Sequence, residues 1–129
     1  MLRIALTLLC LGTSASAVAQ NEWQGIPTVE VRLSNFDYAP ETIHLRAGQP
    51  VVLHLVNVAG GGHNFSAPQF FAAANVRAQD RAAIHGGAVE VASHASLDVA
   101  LVPAAGRYKL KCTHTFHKMF GMSGDIVVD

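Results

Sequence analysis

A short stretch near the C-terminal end concentrates side chains of the types that can coordinate a transition metal. Residues 112–122 read CTHTFHKMFGM, so Cys112 is followed by two histidines and two methionines. A further imidazole, that of His63, follows three glycines far upstream. Thiolate and thioether are soft ligands that favour Cu(I), whereas imidazole accepts both oxidation states of copper. Two imidazoles, one thiolate and a weak axial thioether are typical of a mononuclear blue-copper site that transfers electrons.

The loop offers two histidines and two methionines for these roles. His114 lies two residues beyond Cys112, and His117 follows a turn of four residues. Met119 comes two residues after His117, while Met122 comes after four intervening residues. A short loop can bring three such side chains to one point at little cost in loop-closure entropy. His63 would then approach from the end of a different strand.

The elements that must position these side chains are predicted to be strands. From Thr28 onward apolar residues recur with period two, and turn signals separate short runs. Strands of this kind without regular helical alternation indicate an antiparallel β-sandwich of about seven strands. The alternating residues are Val29, Val31, Leu33, Ile43, Leu45, Val51, Leu53, Leu55, Val89, Val91, Leu97, Val99, Leu101, Tyr108, Leu110, Cys112, Ile126 and Val128.

The alanine-rich segment 69–84 departs from this pattern. It predicts either a short helix or an irregular excursion between strands. The sequence contains no internal repeat and no interdomain linker, so we expect one domain.

The N-terminal segment predicts export. Arg3 provides a positive charge, an apolar run follows, and the small residues 17–19 fit a cleavage site. We therefore expect a signal peptide over residues 1–19, a mature domain over residues 20–129 and a periplasmic location. The apolar run is too short to span a membrane. A lipoprotein signal ending at Cys10 is disfavoured, because Leu9 stands where a small residue would be expected.

Loss of this segment would leave Cys112 as the cysteine of the mature chain, so an internal disulfide is excluded. A single thiol in an oxidising compartment is buried and inert, reactive, or bound to a metal. The neighbouring histidines and methionines favour the metal. The formal net charge of 0 gives no electrostatic footprint that would indicate binding to nucleic acid or an anionic membrane.

These features resemble the cupredoxins, the plastocyanin and azurin superfamily. The resemblance covers about residues 29–128 and rests on three segments. They are GHNF at 62–65, the strand from Gly106 to Cys112 with its Cys-x4-His-x4-Met spacing, and the closing strand GMSGDIVV at 121–128.

The resemblance implies a Greek-key sandwich of seven to eight strands holding one copper ion. It also implies that His63, Cys112 and His117 are the strong ligands and Met122 is the weak axial one. His117 is then favoured over His114, and Met122 over Met119. The side chain of Asn64 would brace the segment after Cys112.

The leading functional hypothesis is single-electron transfer between partner proteins. Nothing in the sequence resembles a catalytic site, and a binuclear copper centre would need a second thiolate, so we expect no enzymatic activity. A copper carrier for periplasmic copper handling or resistance is the alternative, and an interaction module that keeps a copper site is a third reading.

We expect a monomer that docks redox partners near His117, Met119 and Phe120, where apolar residues lie beside a ligand. Phe116 is equally consistent with packing beneath the sandwich. The remaining histidines have no mutual spacing and are predicted to lie on the surface, although a second, transient copper site built from some of them is an alternative. They are His44, His54, His85 and His94.

Overall fold

The structure is a computed structural model and describes residues 22–114 and 121–129. Two β-sheets pack face to face over these ranges. The strands are β1 (Thr28–Leu33), β2 (Tyr38–Ala39), β3 (Thr42–Leu45), β4 (Val51–Asn57), β5 (His63–Ser66), β6 (Asn75–Val76), β7 (Ile84–His85), β8 (Ala88–Val91), β9 (Ser96–Val102), β10 (Gly106–Lys111) and β11 (Ser123–Val128). The predicted signal peptide lies outside the described residues.

One sheet has the order β2-β1-β4-β9-β6, and the other has the order β3-β11-β10-β5-β8-β7. The predicted all-β sandwich is confirmed. Of the strands described over 22–114 and 121–129, eight contain four or more residues, and β2, β6 and β7 contain two each. The expected seven to eight strands correspond to the longer ones.

Two strand pairs are parallel, which a purely antiparallel sandwich does not include. β1 pairs with β4 in parallel, and β3 pairs with β11 in parallel. The chain leaves the first sheet after β2, passes through β3 in the second sheet, and returns as β4 beside β1. Such a crossover lets two strands run in the same direction. Alternation of apolar residues reports which face is buried but not the direction of the neighbouring strand.

The core lies between the two sheets and follows the predicted alternation. In β4, Val51, Leu53 and Leu55 are buried, whereas Val52 and His54 on the other face are partly exposed. Burial of each large aliphatic side chain stabilises the fold by about 1.5–3 kcal/mol. The sheets are thereby held in a fixed relation, and with them the strand ends that carry the candidate ligands.

The segment 69–84 contains the predicted short helix. Helix α1 (Pro68–Ala73) begins with proline at its first turn, where the missing N–H costs nothing, and buries Phe70 and Phe71. A 3-10 helix (Ala78–Ala83) follows β6. The carboxylate of Asp80 accepts hydrogen bonds from Arg77 and from the backbone N–H of Ala100, which fastens this segment to β9. Over residues 22–114 and 121–129, no helix has the length and apolar character needed to cross a membrane.

Candidate metal centre

Three of the four predicted ligands lie on, or directly next to, neighbouring strands at one end of the sandwich. β11, β10 and β5 are consecutive in their sheet. His63 is the first residue of β5, Cys112 directly follows β10, and Met122 directly precedes β11. All three are buried, with exposures of 0%, 0% and 1%. The strand order therefore brings together residues that are far apart in sequence.

The backbone fixes Cys112 and Met122 opposite each other. The pairing of β10 with β11 ends at Lys111 and Ser123, and the N–H of Cys112 then donates to the carbonyl oxygen of Met122 over 3.1 Å. This bond closes the ligand loop at its base. Side chains opposite each other in an antiparallel pair share one face of the sheet. Thiol and thioether thus both belong to the buried face.

The donor atoms present fit one copper ion. Nδ1 of His63 lies 4.0 Å from Sγ of Cys112. Bonds from a first-row metal to imidazole nitrogen and thiolate sulfur are about 2.0 and 2.3 Å long. Their sum exceeds the observed separation, so a single ion can contact both atoms without movement of either strand. The buried thioether of Met122 adds the soft donor that copper accepts and harder metals do not.

Asn64 braces the segment after Cys112, as the resemblance implied. Its Oδ1 accepts from the backbone N–H of Thr113 at 2.9 Å, and its Nδ2 donates to Oγ1 of Thr113 at 2.6 Å. Asn64 is only 2% exposed whereas Thr113 is exposed, so these bonds lie at the edge of the buried region. They tie the residue after one candidate ligand to the residue after another, and the relative position of His63 and Cys112 is thereby restricted.

A second asparagine orders the approach to His63. The buried side chain of Asn57 donates to the carbonyl oxygens of Gly61 and Val91, each at 2.9 Å. Its Oδ1 accepts from the N–H of Ala59. The glycine-rich turn that precedes β5 is therefore held by side-chain bonds, and the orientation of His63 does not depend on a loosely packed loop.

Glu90 joins this network from the next strand. Glu90 lies directly opposite Asn64 in the pairing of β5 with β8. Oε1 accepts from Nδ2 of Asn64 at 2.8 Å, and Oε2 lies 2.9 Å from Nε2 of His114. Partial burial opposes ionisation of the carboxyl, but the hydrogen bonds from Asn64 and His114 and the charge of His114 outweigh it. The pKa of Glu90 is therefore below its ordinary value.

Tyr38 supports β5 from the opposite sheet. Its hydroxyl donates to the carbonyl oxygen of Asn64 at 2.7 Å, and its ring packs edge-on against Phe65. Burial raises the pKa of the Tyr38 hydroxyl well above the ordinary value, and the nearby negative charge of a Cys112 thiolate adds to the shift. The hydroxyl stays protonated and keeps donating.

The remaining loop candidates have different outcomes. His117, Met119, Phe116 and Phe120 lie outside the described residues, so their predicted roles stay predictions. His114 is described, and its imidazole contacts the carboxylate of Glu90. Its side chain is 37% exposed, unlike the buried His63.

The scattered histidines lie on the surface or close to it. His54 contacts Asp98 across β4 and β9 and is partly exposed. Within residues 22–114 and 121–129, no three His, Cys, Asp or Glu side chains form a group able to hold a metal. The predicted surface positions are confirmed, and a second copper site gains no geometric support among the described residues. The exposed histidines are His44, His85 and His94.

The match to a protein family covers the whole sandwich. Residues 27–129 match the model of the copper binding proteins of the plastocyanin/azurin family. The chain belongs to this family. Copper is therefore its cofactor, and the cupredoxin resemblance seen in the sequence is confirmed. No curated protein shows significant similarity to the chain.

Solved structures of auracyanins share the fold. Auracyanin B is 25% identical with a TM-score of 0.58, and the match covers 80% of this chain and 88% of that one. Auracyanin A of Chloroflexus aurantiacus, described as a "blue" copper protein, is 20% identical with a TM-score of 0.56 and coverages of 80% and 99%. The auracyanin of Roseiflexus castenholzii is also 20% identical, with a TM-score of 0.59 and coverages of 79% and 96%.

A larger protein also contains this fold. The multicopper oxidase McoA of Aquifex aeolicus is 19% identical with a TM-score of 0.62, and the match covers 82% of this chain but only 30% of the oxidase. That similarity concerns the fold alone. The auracyanin matches span most of both chains in each comparison.

The sequence did not predict that Glu90, Asn57 and Tyr38 support the candidate metal centre. The turn at Asn57 could have been predicted, because an asparagine shortly before glycines is typical of a turn that the asparagine side chain stabilises. Glu90 carried no such signal, since it occupies an ordinary solvent-side position between Val89 and Val91. Its role follows from the pairing of β5 with β8.

Proposed function

We propose that this cupredoxin carries single electrons between partner proteins and holds one copper ion through His63, Cys112, His117 and Met122. Residues 1–19 would direct export to the periplasm, leaving 20–129 as the working domain. The single observation that carries the proposal is the buried contact between His63 and Cys112, at 4.0 Å, beside the buried Met122. Family membership supports the metal, and the ligand set supports the chemistry.

The bound copper supplies one-electron chemistry between its Cu(I) and Cu(II) states. The protein residues supply the rest. Soft and borderline donors together bind both oxidation states, so the same ligands serve before and after transfer. The bonds from Asn64 to Thr113, and from Cys112 to Met122, hold the strand ends in place. Burial of the donors keeps water from adding as a further ligand.

The same arrangement argues against substrate oxidation. Binding of a substrate to the metal needs an open coordination position, and the three described ligand candidates, each at most 1% exposed, offer no access from their side of the site. We infer that the protein transfers electrons without converting a substrate and that its partners are proteins.

Reconstitution of the full chain with Cu(II) tests the proposal. We expect an intense visible thiolate-to-copper charge-transfer band, reversible loss of that band on reduction, and slow extraction of copper by a chelator. His63→Gln should weaken or abolish the band, whereas His44→Gln on the exposed side of β3 should leave it unchanged. Absence of the band in the unaltered protein would contradict the proposal, and rapid extraction of copper would favour the carrier function instead.

The partner surface is proposed at the metal-site end. The large apolar side chains exposed in residues 22–114 and 121–129 are Phe36 and Val58, at 55% and 39%. The backbone N–H of Val58 donates to the carbonyl oxygen of Leu33, the last residue of β1. The turn with Phe36 follows Leu33, and Val58 itself begins the loop that leads to His63. Apolar exposure at this end supports docking near His117, Met119 and Phe120.

Weak redox encounters use interfaces below about 1,200 Å². Changing Met119 and Phe120 to serine should slow electron self-exchange and leave the visible spectrum nearly unchanged. A second pair of changes, Phe36→Ser with Val58→Ser, tests whether the described apolar residues belong to the same surface. Val52→Ser, on the solvent side of β4, removes apolar surface elsewhere and serves as the control. Equal self-exchange rates in all these proteins would place docking on another surface.

A further inference from the structure

We propose that Glu90 is a positioning residue of the copper centre. Its carboxylate fixes the orientation of the Asn64 amide and holds His114, and through these two residues it sets the backbone that follows Cys112. This inference deepens the proposed function and rests on it for its consequence in the copper-loaded protein. Its structural part concerns the protein with or without metal.

The first step is the polarity of the hydrogen bonds. An ionised carboxylate only accepts hydrogen bonds, so Oε1 of Glu90 requires the Nδ2 side of the Asn64 amide to face it. The Oδ1 side must then point toward Thr113, where it accepts the backbone N–H at 2.9 Å. With the amide turned over, Nδ2 would face that N–H as a second donor. Glu90 and the N–H of Thr113 therefore select the same orientation of the amide, and in that orientation Nδ2 also donates to Oγ1 of Thr113.

The second step is the other carboxylate oxygen. Oε2 lies 2.9 Å from Nε2 of His114, two residues beyond Cys112. One carboxylate thus contacts both the residue after His63 and the loop after Cys112. His114 begins the ligand loop, so this contact fixes the direction in which the chain leaves β10. The pKa of Glu90 lies below its ordinary value, which agrees with an ionised acceptor at neutral pH.

The third step is the position of Glu90 itself. Glu90 lies directly opposite Asn64 in the antiparallel pairing of β5 with β8. Its side chain is 61% exposed, although its two oxygens reach the buried amide and the imidazole. Truncation of such a side chain leaves no cavity in the core. Any effect of the truncation on the metal centre must therefore come from loss of the two contacts or from loss of the negative charge, and Glu90→Gln separates these two causes.

The test begins with the copper-free full chain and measures hydrogen exchange of the Thr113 amide. Glu90→Ala should speed this exchange roughly five- to tenfold, the effect of weakening one ordinary hydrogen bond. Glu90→Gln keeps an acceptor oxygen for Asn64 and should retain most of the protection. Glu30→Ala, an exposed glutamate on β1 in the other sheet, is the matched control and should change nothing.

The copper-loaded proteins provide the second measurement. Glu90→Ala should shift the thiolate-to-copper band and slow self-exchange, whereas Glu90→Gln and Glu30→Ala should remain close to the unaltered protein. Unchanged Thr113 exchange in Glu90→Ala would overturn the proposal. So would a Glu90→Gln protein that exchanges as fast as Glu90→Ala, because the charge and not the acceptor oxygen would then act. If no variant showed a thiolate band, the proposed function would fail, while the exchange data would still decide the positioning role.

Discussion

Replacing Asn64 by alanine removes the connection between the two halves of the metal centre. The substitution deletes one bond to the backbone N–H of Thr113, one to its hydroxyl and one to Glu90. An intramolecular hydrogen bond contributes about 0.5–1.5 kcal/mol net. Thr113 and Glu90 are exposed, and water can replace part of what they lose. We therefore expect the free energy of unfolding to fall by about 2 kcal/mol.

A domain of this size loses about 4–8 °C in Tm for each kcal/mol. The copper-free Asn64→Ala protein should thus melt roughly 8–16 °C below the unaltered chain when unfolding is followed by circular dichroism. Asn75→Ala is the matched control, because Asn75 is an exposed asparagine on the short strand β6. The visible band of the copper-loaded Asn64 variant should also shift. If the Asn64→Ala and Asn75→Ala proteins had the same Tm, the hydrogen bonds between β5 and the Cys112 segment would not contribute to stability.

Three further predictions concern individual atoms of the centre. Cys112→Ser should abolish the strong visible band and leave the far-ultraviolet dichroism unchanged, since a hydroxyl is a hard and poorly ionised ligand; a retained band would remove Cys112 from the ligand set. Met122→Gln should keep copper but lower the reduction potential measured by voltammetry, because an oxygen donor favours Cu(II) more than a thioether does, whereas Met119→Gln should change the potential much less. A larger change of the reduction potential in Met119→Gln than in Met122→Gln would make Met119 the axial ligand. Tyr38→Phe should lower the free energy of unfolding by about 1 kcal/mol at neutral pH through the lost bond to Asn64. The raised pKa of Tyr38 means that the unfolded chain releases this proton first, near its ordinary pKa of 10.0, so stability falls as pH rises above that value. Urea titrations of the copper-free proteins should show this alkaline loss reduced in the phenylalanine variant, and equal pH dependence in both would contradict it.

The sequence predicted the faces of the strands better than their neighbours. Period-two alternation identified the buried residues of β4 and placed His54 on the outer side, because alternation is a local property of an extended chain. The parallel pairing of β1 with β4 was not predictable in this way, since it depends on where the chain crosses between sheets. The short helix was predicted as one of two alternatives, and Pro68 explains where it begins.

Some features of the candidate site could likewise be predicted from the sequence, and others could not. The order of Cys112 and Met122 around a short loop was visible in the sequence, and the structure places both at the base of that loop with His63 beside them. The role of Asn64 came from the family resemblance and is confirmed by its bonds to Thr113. Glu90 could not be predicted, because its contact with Asn64 depends on the register between two strands. His117 as the fourth ligand stays a prediction.

The distance along the chain between the two buried donors has a consequence for how the protein matures. His63 and Cys112 are separated by 49 residues and meet only when β5 and β10 lie side by side. Contacts between distant segments form slowly, because the entropy of closing long loops must be overcome first. An unfolded chain therefore lacks the pairing of His63 with Cys112, and we expect the complete copper site to form only after the polypeptide has folded. Tighter binding of copper to the folded form then adds to its stability, in proportion to the logarithm of the copper concentration relative to Kd.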